Sequence, residues 1–113
     1  MTPPNALAAF LHLDWSAIPV ETVAEGITRQ MVTGDRLMVC RLTLAARTVT
    51  AIHSHVHEQI TLVVRGSADF FVEGQRRTAK AGDVLLFPSG IQHAIDAVRP
   101  SLESSFGSPA PVG

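Results

Sequence analysis

The feature that most restricts the fold of this chain is a succession of short apolar segments separated by turn-forming residues. The separators include Gly34-Asp35, Gly66, Glu73-Gly74-Gln75 and Pro88-Ser89-Gly90, and the segments between them are rich in valine, isoleucine, threonine and phenylalanine. Several short strands at a spacing of roughly 8–12 residues are typical of an all-β sandwich or barrel. No helical periodicity interrupts the pattern after residue 20. The sequence therefore predicts an all-β fold.

These separators define eight candidate strands, with Glu73-Gly74-Gln75 as a tight hairpin turn between two of them. The strands are Ile27–Thr33, Arg36–Leu44, Thr48–His55, Gln59–Arg65, Ser67–Val72, Arg76–Ala79, Val84–Phe87 and Ile91–Val98. A chain of 113 residues is long enough for one core, so we expect one domain over residues 1–113. Its barrel core should cover about residues 27–106, after a short N-terminal arm or helix. The last residues, 107–113, have a loop-favouring composition and should form a loose tail.

Composition excludes several classes of partner. Hydrophobic residues make up 46% and charged residues 17%, as in a globular protein, and the formal charge of −1 gives no basic surface for nucleic acid. The apolar run Ala6–Leu13 is too short to span a bilayer and lacks the basic start of a signal peptide. A single cysteine, Cys40, cannot form an internal disulfide. We expect a cytoplasmic protein that binds neither membrane nor nucleic acid.

Three of the five histidines lie in the stretch HSHVHEQ, His53 to Gln59. Alternate residues of a strand share one face, so His53 and His55 should point the same way, as two imidazoles must to bind one ion. Gln59 should open the next strand and face the same interior, after a turn formed by Val56-His57-Glu58. His93 follows the Pro88-Ser89-Gly90 turn and is the fourth candidate, since a hairpin-rich barrel can bring distant positions together.

Two stretches resemble the motifs of the cupin family. The first, H-S-H-V-H-E-Q-I-T-L-V-V-R-G from His53 to Gly66, resembles the first cupin motif. The second, G-D-V-L-L-F-P-S-G-I-Q-H from Gly82 to His93, resembles the second. The resemblance implies a double-stranded β-helix, or jelly-roll barrel, that is commonly a homodimer. It also implies that His53, His55, Gln59 and His93 are the ligands of one divalent transition metal ion.

Gln59 occupies the position at which the family usually has a glutamate. An amide and three neutral imidazoles leave the charge of the ion uncompensated, which makes it a stronger Lewis acid and favours anionic ligands. Nitrogen and oxygen ligands suit Mn, Fe, Co, Ni or Zn, and the sequence does not choose between them. A cupin barrel that has lost its metal remains the structural alternative.

Strand alternation also names the surroundings of the ion. A mostly apolar lining for a small-molecule substrate is expected, from these residues: Ala51, Thr61, Val63, Ile91 and Ile95. The opposite face of the same strand carries Ile60, Leu62 and Val64, and an apolar strand face needs cover. We expect a homodimer interface there, with the N-terminal arm or the second sheet as the alternative.

Within the cupins, the HSHxHEQ stretch resembles the small proteins that linearise 4,5-unsaturated uronates in pectin and alginate catabolism. Those relatives carry an aspartate where this chain has Ser104, followed by an arginine that is missing here. His57 or Glu103 are the remaining candidates for the acid–base group.

Three functions remain open at this stage. The first is a metal-dependent enzyme that acts on a hydroxy-carbonyl or carboxylate substrate by isomerisation, ring opening, cyclisation or elimination, without redox chemistry. The second is an iron- or manganese-dependent dioxygenase. The third is a non-catalytic module that binds a small ligand or sugar.

Overall fold

The computed structural model describes residues 10–109, and strands dominate this part of the chain. A 3-10 helix, Trp15–Ala17, is capped by Asp14, whose carboxylate accepts a hydrogen bond from the backbone N–H of Ser16. Seven strands follow: β1 Glu21–Ala24, β2 Ile27–Thr33, β3 Leu37–Leu44, β4 Gln59–Val72, β5 Gln75–Lys80, β6 Val84–Phe87 and β7 His93–Pro109. The predicted all-β class is confirmed.

The strands form an antiparallel sheet in the order β1-β2-β3-β7-β4-β5, with β6 paired to β4. The two longest strands, β4 and β7, pair with each other along most of their length. Their register shifts at three places between Val63 and Asp69. Such irregularities bend a strand and increase its twist, so this pair can close the sheet into a jelly-roll barrel.

The core lies on the concave side of the bent sheet. It consists of one cluster of buried apolar residues: Leu44, Val63, Ala68, Phe70, Ala79, Phe87, Val98 and Leu102. Buried or half-buried residues alternate with exposed ones along β6 and over the first six residues of β4, as expected when one face of a strand is buried, whereas Ala68, Asp69 and Phe70 are buried in succession. Burial of each large side chain contributes about 1.5–3 kcal/mol, so this face fixes the strand register.

Gly66 continues a strand where the sequence predicted a break. It has a φ of +79°, and a Cβ atom at this position would lie 1.6 Å from the carbonyl oxygen of Ser101. The glycine therefore allows β7 to approach β4 closely while β4 continues to Val72 as a single strand. The predicted strands Gln59–Arg65 and Ser67–Val72 are thus one element.

Three other boundaries differ from the predictions. Residues 48–58 form no regular strand, and within them only His53 makes an isolated bridge. The strand β1 lies before the predicted core, and its short alternation was too weak to identify. Gly107, Ser108 and Pro109 belong to β7, where they pair with Leu37–Val39, so they are not part of a loose tail. Residues 110–113 and the start of the predicted N-terminal arm lie outside the described residues.

Between residues 10 and 109, the chain has no helix of the length and apolar character that crossing a membrane requires.

Candidate metal centre

The site is built where the irregular segment 48–58 meets the start of β7. His53 and His93 exchange two backbone hydrogen bonds, each with an N···O distance of 3.0 Å. His55 is attached close by, because its carbonyl accepts a hydrogen bond of 2.8 Å from the N–H of Gly90 in the turn before β7. These backbone contacts bring the two parts of the histidine set together although they are far apart in sequence.

The three histidines form a group able to hold a metal ion. One ring nitrogen from each lies within 4.8 Å of those of the other two. The ring centroids of His53 and His93 are 4.3 Å apart, and those of His55 and His93 are 5.2 Å apart. His93 is buried, His55 is half-buried and His53 is exposed, so the group lies at a cavity mouth with its deepest member on β7.

All three rings are oriented by the main chain. Each Nδ1 atom faces a carbonyl oxygen that can only accept a hydrogen bond, so Nδ1 carries the proton and Nε2 keeps its lone pair. The contacts are His53 Nδ1 to Ala51 O at 3.0 Å, His55 Nδ1 to His57 O at 2.7 Å and His93 Nδ1 to Ile91 O at 3.0 Å. Metal-binding histidines are usually held in this way. The same tautomer is therefore preset on all three rings.

Gln59 lines the same cavity as His53 and His93. Its Nε2 atom donates a hydrogen bond of 2.9 Å to Oγ1 of Thr61, the next residue on the same face of β4. Since the amide nitrogen is engaged, Oε1 is the atom that remains for an ion. A divalent cation requires this oxygen, because an amide N–H₂ group has only donors to offer.

The cavity has a volume of about 160 Å³. Its lining combines apolar walls with three hydroxyl groups and the ligand candidates: Leu42, Thr50, His53, Gln59, Thr61, Phe70, Phe87, His93, Ile95, Ser104 and Phe106. Mostly apolar lining with a few polar groups is typical of small-molecule sites.

His93 is embedded more deeply than the other two rings. The Phe87 ring lies against it, with a centroid distance of 4.6 Å and an interplanar angle of 33°. Burial lowers the pKa of His93, the hydrogen bond to the Ile91 carbonyl opposes this effect, and nearby His53 and His55 lower the pKa further. The environment therefore favours the neutral imidazole, which is the form that binds metals.

Comparison with known families identifies the chain. The family model of the cupin domain matches residues 40–101, more than half of the sequence. The chain is a cupin. The jelly-roll fold implied by its two motifs is confirmed.

The relatives of this cupin include a pectin degradation protein. It is 32% identical over 80 residues to the pectin degradation protein KdgF of Dickeya dadantii, an alignment that covers 68% of this chain and 72% of the relative. The solved structure of KdgF from Halomonas sp. superposes with a TM-score of 0.77 at 29% identity, over 85% of this chain and 90% of the other. The polyketide cyclase RemF of Streptomyces resistomycificus shares the fold, with a TM-score of 0.80 at 16% identity over 90% of this chain and 80% of RemF.

Two of the five residues expected to line the cavity of this cupin do so, namely Thr61 and Ile95. Val63 belongs to the buried core and Ile91 packs against that core, so both lie inside the barrel but not at the cavity. Ala51 is exposed, because the alternation assumed for residues 48–55 requires a regular strand that is not formed.

Neither acid–base candidate lines the cavity. Glu103 faces the opposite side of β7 from its neighbour Ser104, and its carboxylate accepts hydrogen bonds from the guanidinium of Arg41. The Nε atom of Arg65 lies 3.6 Å from the same carboxylate. His57 is exposed in the turn, where its carbonyl holds the ring of His55. Glu103 is therefore not positioned to exchange a proton with a ligand in the cavity.

Sequence reasoning missed six lining residues, among them Ser104 and Phe106 on β7 and Leu42 on β3. Strands β3 and β7 share a continuous register, with Leu42 opposite Ser104 and Cys40 opposite Phe106. Alternation along β7 counted from Leu102, which is completely buried, identifies Ser104 and Phe106, and the register then identifies Leu42.

Proposed function

We propose that this cupin is a metal-dependent enzyme that acts on a small hydroxy-carbonyl or carboxylate substrate by non-redox chemistry. The reaction class is isomerisation, ring opening, cyclisation or elimination. The observation that carries the proposal is the convergence of His53, His55 and His93, with their Nδ1 atoms all engaged by the main chain. The similarity to the pectin degradation protein KdgF supports an enzyme and makes uronates one substrate class to test.

The donor set fits one divalent transition metal ion. Three imidazole nitrogens and the Oε1 atom of Gln59 suit Mn, Fe, Co, Ni or Zn. Such an ion, when bound, supplies Lewis-acid polarisation of a carbonyl oxygen and a template for two oxygen atoms of a substrate. No carboxylate lines the cavity, so the protein groups around it do not neutralise the ion.

The residues around the cavity then bind and orient the substrate. The hydroxyl groups of Thr50, Thr61 and Ser104 can donate to substrate oxygen atoms. The contacts that Thr50 and Thr61 already make use their oxygen atoms only as acceptors. Phe70, Phe87 and Phe106 exclude water from the walls, and electrostatic interactions are stronger in such an environment.

Metal analysis is the first test of this proposal. The purified protein, grown with sufficient metal, should contain one equivalent of a divalent transition metal by elemental analysis. His93→Ala and His55→Ala should lose it, whereas His12→Ala, outside the described contacts of the centre, should retain it. Metal-free wild-type protein under these conditions would contradict the proposal.

Activity then separates the proposed chemistry from its alternatives. Zinc-loaded and iron-loaded samples are assayed on uronates and diketones, with and without O₂. Turnover by zinc-loaded protein without O₂ is expected, because the chemistry requires no electron transfer. Oxygen consumption restricted to the iron-loaded sample would indicate a dioxygenase instead, and stoichiometric metal without turnover of any substrate would favour a ligand-binding module.

We also propose that the protein is a cytoplasmic homodimer. Ile60, Leu62 and Val64 alternate with the inward residues of β4, and each has between 46% and 47% of its surface exposed. The register of the sheet extends this surface to neighbouring strands. The outer apolar patch consists of Val39, Ile60, Leu62, Val64, Val84 and Leu86. A contiguous apolar patch on a sheet face marks an interaction site, and a second copy presents a complementary patch by symmetry.

A further inference from the structure

We infer that the cavity selects a small, weakly polar hydroxy-carbonyl or 1,3-dicarbonyl compound over an acidic, polyhydroxylated sugar such as a uronate. This inference rests on the proposed function, because the ion would bind the two oxygen atoms that such a compound presents. It goes further by assigning the rest of the substrate to the apolar walls.

The lining of the cavity carries the inference. Five of its residues are apolar, namely Leu42, Phe70, Phe87, Ile95 and Phe106, and none is an arginine, lysine, aspartate or glutamate. Of the three hydroxyl groups, that of Thr61 already accepts a hydrogen bond from Gln59. Oγ1 of Thr50 likewise accepts a hydrogen bond of 2.8 Å from the N–H of Ile95, so both hydroxyl groups keep an O–H donor but have part of their acceptor capacity occupied. Apart from the proposed metal ligands, these three hydroxyl groups are the only polar side chains among the described lining residues that could meet a ring of substrate hydroxyl groups.

None of the nearest charged side chains lines the cavity. Glu103, Arg41 and Arg65 form an ion-pair group on the outer face of the sheet. Arg29 is paired with Leu42 in the β2–β3 register. Its Nε atom lies 3.5 Å from the carboxylate of Glu21 on β1 but makes no hydrogen bond to any described residue. Arg29 does not line the cavity. Within residues 10–109, no cationic side chain lines the cavity wall, and Arg29, opposite Leu42, is the cation to test as a carboxylate partner.

Desolvation decides between the two substrate classes. A buried hydroxyl group without a hydrogen-bond partner costs about 1–3 kcal/mol. A uronate whose carboxylate binds the ion would avoid the cost of a buried charge, but its ring hydroxyl groups would still face the apolar walls. The cavity volume of about 160 Å³ corresponds to about five water molecules, so little solvent can remain to hydrate these groups. A compound whose polar atoms are confined to one chelating edge avoids this cost and gains from contact with the walls.

The test compares two probes on metal-loaded wild-type protein by isothermal titration calorimetry. Acetylacetone represents neutral 1,3-dicarbonyl compounds, and galacturonate represents uronates. His93→Ala, treated with the same metal and dialysed, corrects for chelation of loose metal by the diketone. We expect acetylacetone to bind at least tenfold more tightly than galacturonate, and the ratio to fall in Ile95→Asn, which adds a polar group to the wall.

The outcomes separate the inference from the proposed function. Absence of stoichiometric metal would overturn both. If the protein contains stoichiometric metal but binds galacturonate as tightly as acetylacetone, the inference alone is overturned. In that case, loss of galacturonate binding in Arg29→Met would identify Arg29 as the carboxylate partner. If Ile95→Asn does not fold, the wild-type ratio decides by itself.

Discussion

Among single residues, Asp69 is the buried carboxylate on which acid stability should depend. The hydroxyl of Thr78 donates a hydrogen bond of 2.7 Å to its Oδ1 atom, and Arg99 and Arg76 each lie 3.4 Å from the carboxylate. The hydrogen bond from Thr78 is the main cause that holds the pKa of Asp69 below its ordinary value; burial opposes it, and the two arginines add to it.

This shift predicts the sign of the pH dependence. The folded protein binds fewer protons at Asp69 than the unfolded chain, so its stabilising contribution is complete above the ordinary pKa of 3.8 and is lost as the pH falls through the lower folded value. Urea denaturation should therefore show that Asp69→Asn is less stable than wild type at pH 7, and that the difference narrows at pH 3. An equal difference at both pH values would contradict this assignment.

For single residues, the sequence predicted the positions of the histidines better than those of the acid–base candidates. His53 and His55 followed from a spacing of two residues, which keeps side chains on one face even where only a bridge forms. Glu103 was chosen as the neighbour of Ser104, and one position along a strand reverses the face of a side chain. Its pairing with Arg41 depends on the β3–β7 register, which local sequence does not contain.

Strand β4 requires a glycine at position 66. Gly66→Ala places a Cβ atom against the backbone of Ser101 and also forces a positive φ on alanine. We expect a loss of more than about 3 kcal/mol in the free energy of unfolding, as for other backbone clashes in a core. Urea denaturation of the purified variant measures it.

Gly74→Ala is the matched control for this prediction. Gly74 has the same φ of +79°, but a Cβ atom added to it would meet nothing within 4 Å, because it lies in the exposed turn between β4 and β5. Its loss should be limited to the strain of the left-handed conformation, about 1–2 kcal/mol. Equal losses in the two variants would show that the contact with Ser101 does not restrict the strand.

Strand ends could be predicted from the sequence where the residues of the turn alone determine its conformation. The sequence predicted a tight hairpin turn at Glu73-Gly74-Gln75, and the structure has this turn, with positive φ at Glu73 and Gly74. Gly66 reads as a break by the same local rule, and only the approach of Ser101 from β7 explains why the strand continues. The segment 48–58 has the composition of a strand but finds few backbone partners, because it contacts β7 at isolated points.

For the whole molecule, the outer apolar patch predicts that a charged residue introduced into it dissociates the dimer. Leu62→Asp places a carboxylate at the centre of the patch, where burial against a second copy would leave it without a partner. Size-exclusion chromatography with light scattering should show a dimer for wild type and a monomer for this variant. Val23→Asp, on an exposed position of β1 outside the patch, should remain dimeric. A monomeric wild type would refute the dimer.

The backbone pairing of His53 with His93 would make ion binding depend on the integrity of the barrel wall. The segment 48–58 is attached to β7 through few hydrogen bonds, including that pair and the bond of 2.9 Å from the Thr50 N–H to the Ile95 carbonyl. An ion bound by histidines of both the segment 48–58 and β7 would stabilise the junction between them through its binding free energy. Depletion of the ion would then release one stretch of wall while the buried core stayed folded, and the entrance for the next ligand would open at the same place.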